Sequence, residues 1–356
     1  MKASELSKNI SVDAKFDVPD IVWFDVKDAP FVVSGVYYDQ EQKCYTRMPD
    51  SIAKNVSPNV RGLVHDTAGG RVRFRTDSTF IGMYAIMSDG TRTVEPSHSC
   101  FDIQRRNPDF EYLKQDIFLY SFIPPITIHK GFSAQVTTDG YMEDYTLHMP
   151  TQSPVKELYI AVKADAELLE PTPYKHPKPI VYYGSSITQG AGSSRPANTY
   201  QAIISKHLST EYYNLGFGGS AMGEQAMADY IAGLDMSIFV CDYDHNASGA
   251  EHLMATHLPF YRTVRNAHPD LPIVFITAPN TMPWYTWYQP RRDAIYNTYK
   301  TAIAEGDKNV YFIDGDTLFG DIDKDLCTVD TCHPSDLGIY RMALTIEEVL
   351  SKILNK

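Results

Sequence analysis

The sequence predicts an α/β domain, with a parallel sheet and helices on both faces, preceded by an antiparallel β-sandwich of jelly-roll type. Three observations carry this prediction. The second half alternates apolar, strand-like runs with segments of helical periodicity. The first half is a succession of short strands cut by turn residues, with little helical periodicity. Between them, residues 164–179 hold Pro171, Pro173, Pro177 and Pro179. That density excludes helix and central strand and implies a stiff, extended linker. The expected limits are a sandwich over 1–165, a linker over 166–179 and the α/β domain over 180–356, a division that suits a chain of 356 residues.

Composition narrows the function. The formal charge is −12, which argues against nucleic acid and anionic membranes as main partners and says little about a neutral ligand. No apolar run approaches the ~20 residues of a spanning helix. The first residues carry a lysine but no apolar core behind it, so the expectation is a cytoplasmic protein, or one from which a leader has been removed. Homo-oligomerisation is left open. Five cysteines include no CxxC pair. Cys44, Cys100 and Cys241 read as small core residues. Cys327 and Cys332 flank Asp330 closely enough to pair, but reduced thiols are expected where no export signal is seen.

Behind a loose arm over 1–20, strands are expected at 31–38, 72–76, 80–86, 117–122, 144–149 and 157–162. Asp89-Gly90 and Asp139-Gly140 read as hairpin turns. Arg71, Arg73 and Arg75 alternate and so share one strand face, either solvated or turned to a ligand; the solvated face is the favoured reading. His65, His98, His129 and His148 show no metal-ligand spacing and read as structural or exposed.

In the second half, strands are expected at 180–183, 212–215, 237–241, 273–277 and 310–313. Helices are expected near 199–208, 223–231, 251–267, 293–305 and 336–354. Ligands of such sheets bind beyond the carboxyl ends of the strands, and polar residues gather there. The first strand runs into Gly184-Ser185-Ser186-Ile187-Thr188, a glycine followed by hydroxyls, suited to presenting a nucleophile. The second runs into the glycines that end Asn214–Gly219, where backbone N–H groups can turn outward. The third runs into Asp242-Tyr243-Asp244-His245-Asn246. Before the last helix stands Asp330-Thr331-Cys332-His333-Pro334. An aspartate three residues before a histidine can bind one imidazole nitrogen, fix the tautomer and leave the other nitrogen free as a base.

These four stretches, in this order, resemble the blocks of the SGNH hydrolases, or GDSL-type esterases, over about residues 178–356. The family's Gly-Asp-Ser block matches Gly184-Ser185-Ser186, which implies Ser186 as nucleophile. Its Asn-x-x-x-x-Gly block matches Asn214 to Gly219, and its Gly-x-Asn block matches Asp244-His245-Asn246. The resemblance therefore implies an oxyanion hole formed by the Ser186 and Gly219 N–H groups and the Asn246 amide. Its Asp-x-x-His block implies Asp330 and His333 as partners of Ser186. The implied fold is a flavodoxin-like three-layer α/β/α sandwich. Two positions depart from the pattern: Ser185 replaces the first-block aspartate and Asp244 the third-block glycine. The sequence looks like a bacterial branch that carries an extra N-terminal β-sandwich, whose members are often assigned as carbohydrate esterases or as acylhydrolases of unassigned substrate. Of that sandwich's Gly-x-Asp-Leu-Tyr signature, Cys100-Phe101-Asp102-Ile103-Gln104 is an echo.

Other residues near the strand exits admit two readings each. His245 contacts substrate or bonds the loop backbone. Asp242 and Asp244 fix a loop rather than bind metal. The aromatic run 282–288, with Trp284 and Trp287, stacks on a sugar ring or packs internally. Arg291 and Arg292 bind an acidic sugar or face solvent, the second being favoured. The leading function is a serine esterase removing acetyl or similar short acyl groups from a small-molecule or oligosaccharide ester. It requires no metal and no cofactor, because hydrogen-bond donors hold the electrophile. The alternatives are a lysophospholipase or thioesterase, and a carbohydrate-binding protein with an inactive hydrolase domain.

Overall fold

A computed structural model describes residues 1–88, 90–91, 96–107, 116–128, 131–280 and 286–355. The chain forms two compact units. The first takes in Met1–Arg47, His65–Tyr174 and Arg195–Ala197; the second takes in Met48–Val64, Lys175–Ser194 and Asn198–Lys356.

The first unit is an antiparallel sandwich. One sheet runs Ile21–Asp25, Val155–Lys163, Phe80–Met87, Gly131–Thr137. The other runs Leu168–Leu169, Arg71–Thr76, Glu143–His148, Phe101–Arg106, Ile117–Phe122, with Val32–Ser34 paired to Arg71–Thr76. Alternate residues build the core: Val72 and Phe74 meet Tyr145 and Leu147 from one sheet, and Ile81, Met83, Leu158 and Ile160 from the other. Each such buried side chain contributes roughly 1.5–3 kcal/mol of transfer free energy. The expected strand over 31–38 is broken at Gly35, whose φ of +76° only glycine adopts without strain. The strands Phe101–Arg106 and Gly131–Thr137 were not anticipated. Asp139-Gly140 is not the hairpin expected: the strands on either side, Gly131–Thr137 and Glu143–His148, lie in different sheets, and Gly140 takes a left-handed φ in the crossing between them. Asp89 and His129 lie outside the described residues.

The arginine face is not solvated, which corrects the favoured reading. Arg71 is 1% and Arg73 6% exposed. Arg73 donates to the Thr172 carbonyl at 2.6 Å and lies over the Tyr174 ring. Alternation reveals that three residues share a face, not what covers it. The same layer holds His148, bonded to Gln104 at 3.2 Å, and Asp102, which is fully buried. Asp102 accepts the Ala197 N–H at 3.1 Å and lies 3.9 Å from Arg195. Burial pushes its pKa up to about 7 against the opposing pull of Arg195 and the Ala197 N–H. The folded state then holds a proton that the unfolded chain releases near pH 4, so this residue's contribution to stability is full below that pH and is lost as pH rises towards 7. The loss is on the order of 4 kcal/mol at 1.36 kcal/mol per unit. Thermal melting of Asp102→Asn against the wild type should show the variant gaining relative stability from pH 4.5 to pH 7.5; parallel curves would contradict this.

The second unit is built on a five-stranded parallel sheet. Its strands are β1 (His176–Gly184), β2 (Thr210–Gly216), β3 (Ile238–Asp242), β4 (Ile273–Ile276) and β5 (Val310–Ile313), in the order β2-β1-β3-β4-β5. β1 begins inside the proline-rich stretch, contrary to the linker expectation. Pro177 and Pro179 fall before its continuous pairing, which starts at Ile180 after a register shift, so no ladder hydrogen bond is sacrificed there. Successive residues of β1 point to opposite faces. Ile180 and Tyr182 pack with α4 (Tyr200–Leu208) and α8 (Asp336–Leu354). Val181 and Tyr183 pack with α5 (Gln225–Ala232), α6 (Ala250–Ala267) and α7 (Tyr288–Ala304). This is the three-layer arrangement, and buried Ile339, Met342, Ala343, Ile346, Leu350 and Ile353 show the helical spacing that seats α8.

Two short helices were not anticipated: α1 (Asp50–Val56) and α2 (Pro58–Leu63), which lend Ala53 and Val60 to the Val181 face. Ser57 caps α2, accepting the Val60 N–H at 3.1 Å, with Pro58 at the first helical position. None of the five cysteines forms a disulfide.

Candidate active site

The carboxyl end of β1 turns at once into α3 (Ser186–Gln189). Only glycine fits the turn: a Cβ on Gly184 would lie 2.1 Å from Thr188 Oγ1 and 2.2 Å from the Asp242 carbonyl oxygen. Ser185 caps α3, its Oγ accepting the Ile187 N–H at 3.2 Å. Ser186 is thereby the first residue of the helix, where a backbone N–H has no intrahelical acceptor.

Ser186 Oγ lies 2.8 Å from His333 Nε2. His333 Nδ1 lies 2.7 Å from Asp330 Oδ2, while Asp330 Oδ1 accepts the N–H groups of His333 at 2.7 Å and Cys332 at 3.0 Å. Partial burial pushes the Asp330 carboxyl up. The His333 ring and the two N–H groups outweigh it and hold the carboxyl below its ordinary range. An ionised Asp330 favours the proton on Nδ1, which leaves Nε2 to accept from the Ser186 hydroxyl.

The loop that carries Asp330 and His333 is pinned on several sides. The Val329 N–H donates to the His333 carbonyl at 2.9 Å and the Ser335 N–H to the Cys327 carbonyl at 2.8 Å. Gly192, at φ +85°, lies so close that a Cβ would stand 2.1 Å from the Pro334 carbonyl oxygen. Ser194 and Asn198 bind the Asp336 carboxylate, the Ser194 N–H at 2.9 Å, its Oγ at 2.5 Å and Asn198 Nδ2 at 3.1 Å. Nothing in the sequence signalled this clasp.

After β2 the chain loops past Ser186. Asn214 Nδ2 donates to the Thr188 carbonyl at 2.7 Å and Asn214 Oδ1 accepts the Gly216 N–H at 2.9 Å, tying the strand exit to α3. A Cβ on Gly218 would lie 3.4 Å from Ser186 Cβ, and Gly219 takes φ +67°. Among the described residues, the N–H groups of Ser186 and Gly219 meet no protein acceptor. Asn246 Nδ2 donates to the Phe217 carbonyl of the same loop at 2.9 Å. The structure thus joins Ser186, His333 and Asp330 directly, and connects Asn246 to the Gly218–Gly219 turn.

Asp242 and Asp244 fix backbone and side chains beneath the site. Asp242 Oδ2 accepts from Thr188 Oγ1 at 3.2 Å and from the Tyr200 hydroxyl at 3.4 Å, and burial together with Asp244 pushes its carboxyl well above the ordinary range. Asp244 accepts the Ala278 N–H at 2.7 Å; burial lifts its pKa to about 6. It sits at the third-block glycine position without needing a left-handed φ.

His245 does not bond the loop backbone through its ring. Nδ1 lies 3.9 Å from Cys332 Sγ, and Nε2 is buried without a protein partner among the described residues. Burial above all, with the nearby His333 ring and the Arg291 guanidinium disfavouring a further charge, lowers its pKa to about 4, so the ring is neutral at pH 7. The Trp287 ring stands 6.1 Å from it and is 40% exposed; Trp284 lies outside the described residues. The arginines are not free in solvent as favoured above. Arg292 grips Asp314, and Arg291 donates to the Asp244 carbonyl at 2.5 Å and lies over Trp287. α7 begins at Tyr288, earlier than its periodicity suggested, so both arginines lie on the helix, partly buried.

A parallel sheet in a three-layer α/β/α unit, with a serine, an imidazole and a carboxylate in hydrogen-bonded sequence at its carboxyl edge, is the arrangement of a serine hydrolase. The profile of the GDSL-like lipase/acylhydrolase family matches residues 177–351, and that of the N-terminus of SGNH-type esterases matches residues 21–168. The chain belongs to the SGNH, or GDSL-type, hydrolases, carboxylic ester hydrolases, in the branch with an N-terminal β-sandwich. No curated protein matches it. Among solved structures, a protein described as a GDSL-like lipase from Bacteroides ovatus ATCC 8483 is similar at 26% identity and a TM-score of 0.82, covering 94% of this chain and 98% of that one. The salicylyl acyltransferase SsfX3 from a tetracycline biosynthetic pathway shares the fold at 18% identity, with a TM-score of 0.76 over 94% of this chain and 98% of that one. An acetyl xylan esterase, Est2A, from the rumen bacterium Butyrivibrio proteoclasticus shares it at 11% identity, with a TM-score of 0.63 over 94% and 99%.

Proposed function

We propose that the protein hydrolyses short acyl esters, acetyl above all, on a carbohydrate. The observation that carries the reading is the unbroken series Ser186 Oγ, His333 Nε2, His333 Nδ1, Asp330 Oδ2, with contacts of 2.8 and 2.7 Å. Ser186 attacks the ester carbonyl and passes its proton to His333 Nε2. Asp330 orients the imidazole and stabilises the imidazolium. The N–H groups of Ser186 and Gly219 and the Asn246 amide receive the oxyanion, each donor being worth roughly 3–4 kcal/mol of barrier. His333 returns the proton to the leaving alcohol. Water then enters by the same route and releases the acid.

The short-acyl, carbohydrate part of the reading has its own support. Trp287 is a part-exposed aromatic face beside the His245 ring, a surface suited to stacking on a sugar ring. Est2A, a neighbour in fold, is described as an acetyl xylan esterase. Chain-length preference tests it. Turnover of p-nitrophenyl esters is expected to drop steeply beyond butyrate, and acetylated saccharides are expected to release acetate. Rates sustained to octanoate and longer would favour the lysophospholipase or thioesterase reading instead.

A further inference from the structure

In the turn after β2 the Gly219 N–H is uncommitted among the described residues, and the way its neighbours are bonded determines where it points. The peptide between Phe217 and Gly218 is held at both ends. Its N–H, on Gly218, donates to Gln189 Oε1 at 2.7 Å. Its carbonyl, on Phe217, accepts Asn246 Nδ2 at 2.9 Å and the N–H groups of Ser220 at 2.9 Å and Ala221 at 3.2 Å. The next peptide, between Gly218 and Gly219, is held at one end. Ser220 Oγ donates to the Gly218 carbonyl at 3.1 Å. The other end, the Gly219 N–H, meets no protein acceptor among the described residues.

A trans peptide directs its C=O and N–H to opposite sides. Holding the Gly218 carbonyl on the Ser220 hydroxyl therefore aims the Gly219 N–H away from Ser220. Gly218 packs on Ser186, 3.4 Å from its Cβ if it carried one, and open space adjoins Gly219. A peptide flanked by two glycines can also flip as a unit, because neither the ψ of Gly218 nor the φ of Gly219 is restricted by a side chain. Only the bond from Ser220 opposes that flip among the groups above. Ser220 is 6% exposed, so water competes poorly for its hydroxyl.

We propose that Ser220 is a positioning residue: its hydroxyl locks the Gly218–Gly219 peptide so that the Gly219 N–H faces the developing oxyanion before substrate arrives. This rests on the reading of Gly219 as an oxyanion donor. A donor fixed beforehand costs no reorganisation in the transition state, whereas one free to flip must be ordered each turnover.

The test is Ser220→Ala in the full chain, assayed on p-nitrophenyl acetate, with inhibition by phenylboronic acid and thermal melting alongside. The boronate binds by forming a bond between Ser186 Oγ and boron, and a boron oxygen then occupies the oxyanion position. Loss of the lock should lower kcat roughly 5- to 50-fold, leave KM within about twofold, and weaken boronate inhibition by the same factor as kcat/KM. A kcat within twofold of wild type, a loss confined to KM, or a fall in kcat with boronate inhibition unchanged would overturn the proposal. Ser186→Ala, run in parallel, separates this result from failure of the parent reading. If Ser186→Ala keeps wild-type turnover, the esterase assignment of the site fails; if it is inactive while Ser220→Ala is not impaired, only the positioning role fails.

Discussion

Ser186→Ala is expected to lower kcat on p-nitrophenyl acetate by roughly 10⁴- to 10⁶-fold while leaving the protein folded. The size follows from the role. Removing the hydroxyl abolishes the covalent intermediate, so the remaining groups can only assist direct attack by water. The preserved fold follows from the contacts. Among the described residues the Ser186 side chain makes one hydrogen bond, to His333, and the turn around it is held by Gly184, Ser185 and Thr188 rather than by the nucleophile. Melting within a few degrees of wild type, with turnover near background, is the expected pair of readings. Turnover near wild type would mean that another group performs the chemistry.

Asn246→Ala should cost roughly 10²- to 10³-fold in kcat with little change in KM. The Asn246 amide has two hydrogens. One is committed to the Phe217 carbonyl at 2.9 Å, which fixes the plane of the amide and leaves the second to point away from that loop. Alanine removes the donor and the tie to Phe217 together. Asn246→Asp is the sharper variant. A carboxylate cannot donate, and its charge repels the oxyanion, so at neutral pH its loss should match or exceed that of alanine. An aspartate variant more active than the alanine one would argue against oxyanion stabilisation at this position.

The second unit was legible because parallel sheets concentrate information at strand ends. Ser186 and Asn246 could be placed because each follows an apolar run whose end is marked by glycine or a polar cluster, Asp330 and His333 because they stand just before the last helix. α8 was read over its full length, its buried residues recurring at helical spacing from Ile339 to Ile353. The strand β1 was read short, since proline density was given more weight than its position ahead of the paired residues.

The helices α1 and α2 were missed because each is barely two turns long, too short for a period to stand out from the strands around it. The Ser57-Pro58 pair was the available signal, a cap followed by proline at the first helical position. The burial of Arg73 was not legible at all, since its head bonds Thr172 and lies over Tyr174, about a hundred residues away. The same holds for Ser220 and Gln189. Their importance lies in which carbonyl and which N–H they touch, and no periodicity encodes that.

The central claim, that Ser186 is a nucleophile activated by His333, is tested most directly by mass spectrometry after exposure to a fluorophosphonate. The account predicts a single phosphonyl adduct on the peptide bearing Ser186, formed far more slowly when His333 is alanine. An enzyme that cleaves acetyl esters yet carries no adduct on Ser186, or carries it on a different residue, would contradict the account.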